Sequence, residues 1–294
     1  MKKTIIILII VILVGIGAYF LIKGFSGEEV IPEASPTPTP TATPQANAGQ
    51  TVIGKSVANR DIIAYHYGTG NTELLFIGGS HGGYEWNTVL VAHELMDYLK
   101  ANPSIIPKNV KVTVIPVLNP DGLSKVVGTA DRFSKSDVST SEATVISGRF
   151  NDNNVDLNRN FDCDWKASGV WQDRTVSGGT KAFSEPESLA LKTYVEKSKP
   201  EAVVAWYSSA GGVFASNCHN GILADTRTLL NTFAKASGYR AYESYDFYKI
   251  TGDMVNWLAK NNIPAISVLL TTHEDTEWTK NKAGIDAVLK QYAE

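Results

Sequence analysis

The sequence predicts an α/β fold, a single three-layer α/β/α domain whose β-sheet is covered by helices on both faces. From Thr51 onward, short apolar runs typical of strands alternate with segments of helical periodicity. Residues 74–77 stop at Gly78-Gly79, as a buried strand stops at a loop, and residues 86–99 carry apolar side chains at helical spacing. With 294 residues, 43% of them hydrophobic, the chain has enough apolar content for one large core.

The remaining elements follow in order. Residues 110–117 are rich in β-branched side chains and predict a strand, which we expect to stop at a turn formed by Asn119-Pro120-Asp121-Gly122. Further along we predict a helix after Pro186, a strand over residues 202–207, helices near residues 223–236 and 252–260, a strand over residues 263–270 and a final helix. In such a fold the functional site is expected at strand ends and in the loops that follow them.

The first 24 residues predict a membrane anchor. Lys2 and Lys3 precede an unbroken run of apolar residues and glycines over residues 5–22, and Lys23 closes it. The run approaches the roughly 20 residues that a membrane-spanning helix needs, and it lacks the small-residue cleavage site of a signal peptide. We therefore predict an uncleaved single-pass anchor over residues 1–24 in the cell membrane, with a cytoplasmic N-terminus and an extracytoplasmic main domain.

Residues 25–50 predict a disordered stalk. From residue 33 onward Pro, Thr, Ala and Ser dominate, and such a composition buries too little apolar surface to fold. Residues 51–294 then form the predicted domain. Because 27 Lys and Arg nearly balance 30 Asp and Glu, the formal charge of −3 offers no basic surface for nucleic acid.

His81 and Glu85 stand where the first predicted strand gives way to a helix. An imidazole at a strand end and a carboxylate about one helical turn later can converge on one divalent metal, and zinc accepts both ligand types. From this spacing alone, a loop histidine and a glutamate favoured at a helix start are an alternative explanation.

Three further strings stand in the order and rough spacing of the zinc carboxypeptidases: residues 119–122 (NPDG), 155–161 (VDLNRNF) and 183–187 (FSEPE). The chain resembles that family over nearly all of residues 51–294, and the Asp-Leu-Asn-Arg-Asn-Phe string is a specific signature. The resemblance implies one domain with a mostly buried mixed sheet, one zinc held by His81, Glu85 and a second histidine, and removal of C-terminal residues from peptides.

The resemblance assigns Asn158 and Arg159 to the substrate's terminal carboxylate. A guanidinium fork matches a carboxylate bidentately and an amide adds a neutral donor, which distinguishes a chain end from a mid-chain peptide bond. The alternative is a structural loop with a surface ion pair.

Two more residues receive roles from the resemblance. Arg149 would polarise the scissile carbonyl, with Arg132 as the fallback, and Tyr248 would be the mobile tyrosine that closes over the bound chain end. The resemblance places the pocket for the substrate's side chain just after this tyrosine. Met254 and Val255 suggest a preference for apolar side chains, whereas Asp253 would favour a basic one, and the sequence does not decide between them.

The sequence departs from the family at two positions that serve catalysis. Tyr207 stands where relatives place the second zinc histidine, and a neutral phenol is a much poorer ligand than imidazole. Leu269 stands where relatives place the glutamate that activates the zinc-bound water, and leucine cannot take a proton. The substitutes left open are His219 and His273 for the ligand, and Glu274 and Glu277 for the base.

Two functional hypotheses follow. The first is a monomeric, membrane-anchored zinc metallocarboxypeptidase that trims peptides or peptidoglycan stem peptides, and the second is a catalytically impaired relative that binds peptide C-terminal carboxylates. We also expect a disulfide between Cys163 and Cys218, because each follows a motif that the family places near the site and an outward compartment permits oxidation. Two buried free thiols are the alternative.

Overall fold

A computed structural model describes residues 49–293. The predicted anchor over residues 1–24 and residues 25–48 of the predicted stalk lie outside the described residues, so both stay predictions. The predicted end of the stalk at residue 50 is wrong, because Gly49 and Gln50 already belong to the first strand. Among residues 49–293, no helix combines the length and the apolar character that crossing a membrane requires.

The described residues contain ten strands and seven α-helices. The strands are β1 (Gly49–Lys55), β2 (Asp61–Tyr67), β3 (Thr72–Ile77), β4 (Val110–Ile115), β5 (Ser168–Trp171), β6 (Arg174–Ser177), β7 (Ala202–Ser208), β8 (Gly212–Ala215), β9 (Arg240–Tyr242) and β10 (Ala265–Leu270). The helices are α1 (Trp86–Ala101), α2 (Pro120–Val127), α3 (Glu142–Ser147), α4 (Pro186–Ser198), α5 (Ala224–Ser237), α6 (Met254–Lys260) and α7 (Trp278–Gln291).

Eight of these strands form one mixed sheet in the order β1-β2-β4-β3-β7-β10-β8-β9. The central strands β4, β3, β7 and β10 run parallel, whereas β1 and β2 on one side and β8 on the other pair antiparallel to their inner neighbours. The prediction of a mixed sheet is confirmed. Because the carboxyl ends of the parallel strands meet at one edge, the loops after β3, β7 and β10 lie together.

The sheet is buried on both faces, as predicted. Side chains alternate along β3, so that Leu74 and Phe76 join the apolar cluster formed with α1, α5 and α7, while Leu75 and Ile77 join the cluster formed with α4 and α6. Burial on both sides explains why this strand is a continuous apolar run instead of an alternating one.

The expected turn at residues 119–122 is wrong in one respect, because it is the start of helix α2. The Asn119 side chain accepts a hydrogen bond from the Gly122 backbone N–H at 2.8 Å, and Pro120 occupies the first helical position. Asparagine and proline favour both a turn and a helix start, so the string did not distinguish the two.

Cys163 and Cys218 form a disulfide, which confirms that prediction. The bond joins the segment after residues 157–159 to the segment that follows β8, across a sequence separation of 55 residues. It therefore connects two loops near the carboxyl ends of the strands.

Replacing both cysteines, Cys163→Ser and Cys218→Ser, is expected to lower the free energy of unfolding by about 2–4 kcal/mol, because a cross-link of this span restricts the unfolded chain. Urea denaturation of both proteins measures the difference. Identical unfolding midpoints with equal slopes would contradict a stabilising role for the bond.

Candidate functional site

All six predicted site residues line one cleft of about 500 Å³ at the carboxyl ends of β3, β7 and β10. The metal-ligand candidates follow β3, the carboxylate-binding pair lies on a short 3-10 turn over residues 157–159, and the remaining two lie on loops. The six residues are His81, Glu85, Arg149, Asn158, Arg159 and Tyr248.

His81 and Glu85 are buried next to each other, with 2.9 Å between His81 Nδ1 and Glu85 Oε1. Two ligand atoms of one tetrahedral zinc lie about 3.3 Å apart, so this pair has the spacing of neighbouring ligands. Gly82 and Gly83 make the arrangement possible. A Cβ at Gly82, where φ is +45°, would approach the Gly148 carbonyl oxygen to 2.7 Å, and one at Gly83 would approach Val126 Cβ to 2.4 Å.

Asp156 holds these groups in place. No role was assigned to this residue from the sequence, although Asp156 begins the Asp-Leu-Asn-Arg string. Its Oδ2 accepts hydrogen bonds from Arg149 Nε at 2.9 Å, and Arg149 Nη2 lies 2.8 Å away. Its Oδ1 lies 3.3 Å from His81 Nε2 and accepts a hydrogen bond from the Asn158 backbone N–H at 3.0 Å. A carboxylate on the far nitrogen of a histidine is the usual way in which a metal-ligand histidine is oriented.

The ionisable groups of this cluster shift one another's pKa values. Burial alone would disfavour the ionised form of Asp156, but Arg149, then His81 and Arg159, hold the pKa of its carboxyl well below the usual range. For His81, burial and Arg149 lower the pKa, and the carboxylates of Glu85 and Asp156 outweigh them and raise it.

Arg149 is neutralised inside the protein. Besides its ion pair with Asp156, its guanidinium carbon lies 4.4 Å from the ring centre of Trp171 and 5.7 Å from that of Tyr84. The fallback Arg132 is wrong for this site, because it is exposed and forms a two-point ion pair with Asp97 outside the cleft.

Arg159 differs from Arg149 in forming no direct ion pair among the described residues. Burial lowers the pKa of its guanidinium, but Asp156, Tyr248 and Asp253 outweigh it and raise the pKa. Arg159 is 1% exposed, and its two terminal nitrogens donate to the backbone carbonyls of Asn158 and Val170, each at 2.8 Å. Its Nε has no hydrogen-bond partner in the part of the chain that the structure describes, and no carboxylate there lies within 4.0 Å. Tyr248 lies alongside, with its ring centre 5.8 Å from the guanidinium carbon.

The side chain of Asn158 makes three hydrogen bonds within the protein. Its Oδ1 accepts from the Tyr207 hydroxyl at 3.0 Å and from the Met254 backbone N–H at 3.1 Å, and its Nδ2 donates to Asp253 Oδ2 at 3.0 Å. Asn158 therefore braces the cleft wall in this structure, whereas Arg159 is the group that still lacks an anionic partner.

Tyr207 and Leu269 face the cleft as the sequence register predicted. They pair directly across the parallel strands β7 and β10, and both line the cavity, with the Tyr207 ring centre 5.5 Å from that of His81. Burial raises the pKa of Tyr207 well above its usual value, so its hydroxyl stays protonated and donates to Asn158.

Three of the four substitute residues lie elsewhere. His219 is exposed and pairs with Asp164, Glu274 is exposed and pairs with Lys135, and Glu277 accepts hydrogen bonds from Thr271 and Tyr239. They are therefore wrong as substitutes at this cleft, because none of the three side chains lines it.

His273 does line the cleft. Its Nδ1 lies 2.9 Å from Ser208 Oγ, its ring packs 4.7 Å from that of Tyr84, and burial lowers its pKa. It does not complete a metal cluster, however. Among residues 49–293, the one set of three ligand atoms near enough for a shared ion belongs to Cys163, Cys218 and His219, and the two sulfurs there are bonded to each other.

The pocket beside Arg159 has apolar and aromatic walls. Val255, Ile250 and the exposed Phe247 line it, whereas Met254 is fully buried and does not. Asp253 is already used, since it accepts from the Asn256 backbone N–H at 2.8 Å to cap α6 and also accepts from Asn158. The geometry favours the apolar alternative left open by the sequence.

The chain belongs to the zinc carboxypeptidase family, whose pattern matches residues 45–291. It is 25% identical over 218 residues to γ-D-glutamyl-L-diamino acid endopeptidase 1 of Lysinibacillus sphaericus, covering 67% of this chain and 54% of that protein. It is 34% identical over 113 residues to human carboxypeptidase O, covering 37% of this chain and 28% of that protein. The chain thus spans about half the length or less of these curated relatives.

Solved structures share the fold. Murein-tripeptide amidase MpaA from Escherichia coli O157 superimposes with a TM-score of 0.59 at 21% identity, covering 84% of this chain and 93% of that one. Bovine thrombin-activatable fibrinolysis inhibitor, in complex with tick carboxypeptidase inhibitor, gives a TM-score of 0.64 at 16% identity, covering 83% and 88%.

The family uses zinc, but the donors in this cleft do not complete a catalytic zinc site. Such sites use three protein ligands and leave one position for water. His81 and Glu85 provide two, with Asp156 behind His81, and the neighbouring Tyr207 presents a protonated phenol that is already a hydrogen-bond donor. We therefore assign no chemical step to a metal.

Substituting Asp156→Asn is expected to lower the free energy of unfolding by about 3–5 kcal/mol, because it removes the charge that neutralises the buried Arg149. Urea denaturation at neutral pH measures the loss. The matched control Asp162→Asn removes an exposed ion pair with Lys260 and is expected to cost about 0–1 kcal/mol. Equal losses in the two variants would contradict the role given to Asp156.

Proposed function

We propose that this protein binds peptides by their free C-terminal carboxylate and hydrolyses them slowly or not at all. The observation that carries the proposal is Arg159, a buried guanidinium whose Nε lacks a hydrogen-bond partner and which has no carboxylate within 4.0 Å among the described residues. Asp156 and Asp253 act on this guanidinium only from farther away, and a buried cation without a direct ion pair favours an incoming anion.

A peptide carboxylate suits this position better than other groups. Charge-assisted hydrogen bonds from a guanidinium to a carboxylate are among the strongest in proteins, and a mid-chain amide offers no negative charge. Arg149 does not compete for the ligand's charge, because Asp156 already neutralises it. Selectivity for a chain end therefore rests on Arg159, and the apolar wall that includes Val255 favours an apolar terminal side chain.

The residues at the two positions that the resemblance assigns to catalysis favour binding without hydrolysis. Tyr207 offers a donor where a ligand is needed, and Leu269 offers no base, the loss of which typically costs about 10²–10⁴ in rate. The second candidate function is a working zinc exopeptidase. It is favoured by the family membership and by the His81–Glu85 pair, whose spacing still suits two ligands of one ion.

The ligand we propose is a short peptide of the bacterial cell wall. Two of the relatives are named for murein tripeptide and for a γ-D-glutamyl-L-diamino acid bond. A cleft of about 500 Å³ lies within the range of sites that bind small ligands. This proposal agrees with the sequence-based expectation of a monomer held outside the cell by an anchor over residues 1–24.

Binding of a short peptide with a free C-terminus is expected to weaken by about 10–100-fold in Arg159→Ala, because a charge-assisted contact is lost. Isothermal titration calorimetry with the free acid and with the C-terminally amidated peptide measures it. The amide is expected to bind the unaltered protein as weakly as the acid binds the variant. Arg132→Ala, an exposed arginine outside the cleft, is the control and should bind normally. Equal affinity for acid and amide would refute the proposal.

The double variant Tyr207→His, Leu269→Glu is expected to gain zinc and activity. The unaltered protein should contain well under one zinc per chain, and the variant should approach one and release terminal residues at least about 100-fold faster. Tyr207→Phe is the control, since it removes the hydroxyl without adding a ligand. Full zinc content and brisk turnover in the unaltered protein would favour the exopeptidase instead.

A further inference from the structure

We infer that the hairpin of β5 and β6 sets the position of both guanidinium groups in the cleft, with Gly169 and Trp171 as its positioning residues. No feature of the sequence assigned a role to this segment. The inference rests on the proposed function, because it concerns how the carboxylate-binding Arg159 is held.

One side of the hairpin holds Arg159. The carbonyl oxygen of Val170 accepts a hydrogen bond from Arg159 Nη2 at 2.8 Å. Gly169 lies directly against the same side chain, where an added Cβ would come within 2.9 Å of Arg159 Cδ and 3.2 Å of Nε. The guanidinium can therefore lie along the hairpin backbone only because residue 169 has no side chain.

The tip of the hairpin holds Arg149. The Trp171 ring centre lies 4.4 Å from the Arg149 guanidinium carbon, and the ring packs edge-on against Tyr84 at 4.9 Å. On β6, Arg174 lies 5.5 Å from the same indole. A guanidinium over an indole ring is attracted to it, and the contact restricts the orientation of the guanidinium.

The base of the hairpin is fastened to the loop that carries the site. Gly169 pairs with Val176 within the hairpin, Ser177 bridges to Val155, and the Asp156 backbone N–H donates to the Ser177 carbonyl at 3.0 Å. The segment that leads into Asp156 is thus joined to the hairpin by one bridge and one hydrogen bond.

The hairpin is separate from the main cores. Trp171 and Val176 are buried, but neither belongs to the apolar clusters packed on the two faces of the large sheet. Val170, next to Trp171 in the hairpin, is 44% exposed. Small substitutions here should therefore move the arginines without unfolding the domain.

The test is Gly169→Ala, which adds the Cβ that meets the flexible end of Arg159. Free-acid peptide binding, followed by calorimetry, is expected to fall about tenfold or more, while amidated-peptide binding and the thermal midpoint stay unchanged. Thr175→Ala is the matched control, since it trims an exposed side chain on the same hairpin, and it should bind normally.

A double-mutant cycle separates positioning from a general structural effect. Adding Gly169→Ala to Arg159→Ala is expected to cause no further loss, because the glycine acts only through that arginine. Losses that multiply in the double variant would overturn the inference. Trp171→Leu is expected to weaken free-acid binding several-fold, because Arg149 pairs with the Asp156 carboxylate that also holds the turn carrying Arg159. Trp171→Phe, which keeps an aromatic ring, is expected to bind normally. Equal binding by Trp171→Leu and the unaltered protein would also overturn the inference.

The outcomes distinguish this inference from the proposal on which it rests. If Arg159→Ala leaves free-acid binding intact, the proposed function fails. If Arg159→Ala abolishes binding while Gly169→Ala and Trp171→Leu bind normally, the carboxylate receptor stands and only the role of the hairpin is wrong.

Discussion

One buried carboxylate, that of Asp156, organises the site. It contacts His81 on one oxygen, pairs with Arg149 through the other, and accepts the Asn158 backbone N–H that begins the turn carrying Arg159. Because a buried carboxylate is tolerated only when its partners surround it, these groups form one unit. The orientation of His81 and that of the turn over residues 157–159 consequently both depend on Asp156.

The cleft contains the residues that the family resemblance assigns to carboxylate binding, whereas Tyr207 and Leu269 stand at two positions that it assigns to catalysis. The Tyr207 ring centre lies 5.5 Å from that of His81, and its hydroxyl donates to Asn158 Oδ1. On its donor side, the Asn158 amide bonds to Asp253. The proposed anion recognition rests mainly on Arg159, whose terminal nitrogens otherwise contact the backbone carbonyls of residues 158 and 170. A bound carboxylate would give Arg159 the direct ion pair that it does not form among the described residues.

Sequence patterns predicted an element correctly wherever the local pattern is typical of one type of structure only. The central strands were found because burial on both faces makes them continuous apolar runs, and α1 because its apolar residues recur at helical spacing. The short strands β1, β2, β8 and β9 and the hairpin were missed, since strands of three to seven residues carry little periodicity. Residues 119–122 were misread because the same residues begin turns and helices.

The sequence by itself determined the family, the residues of the carboxylate-binding string, and the substitutions Tyr207 and Leu269, because each is a matter of residue identity in a short motif. Only the tertiary structure decided which arginine is neutralised. That distinction depends on contacts with Asp156, Trp171 and Val170, which come from separate loops and a hairpin. Charge pairing is a property of distance in space, and no spacing along the chain reports it.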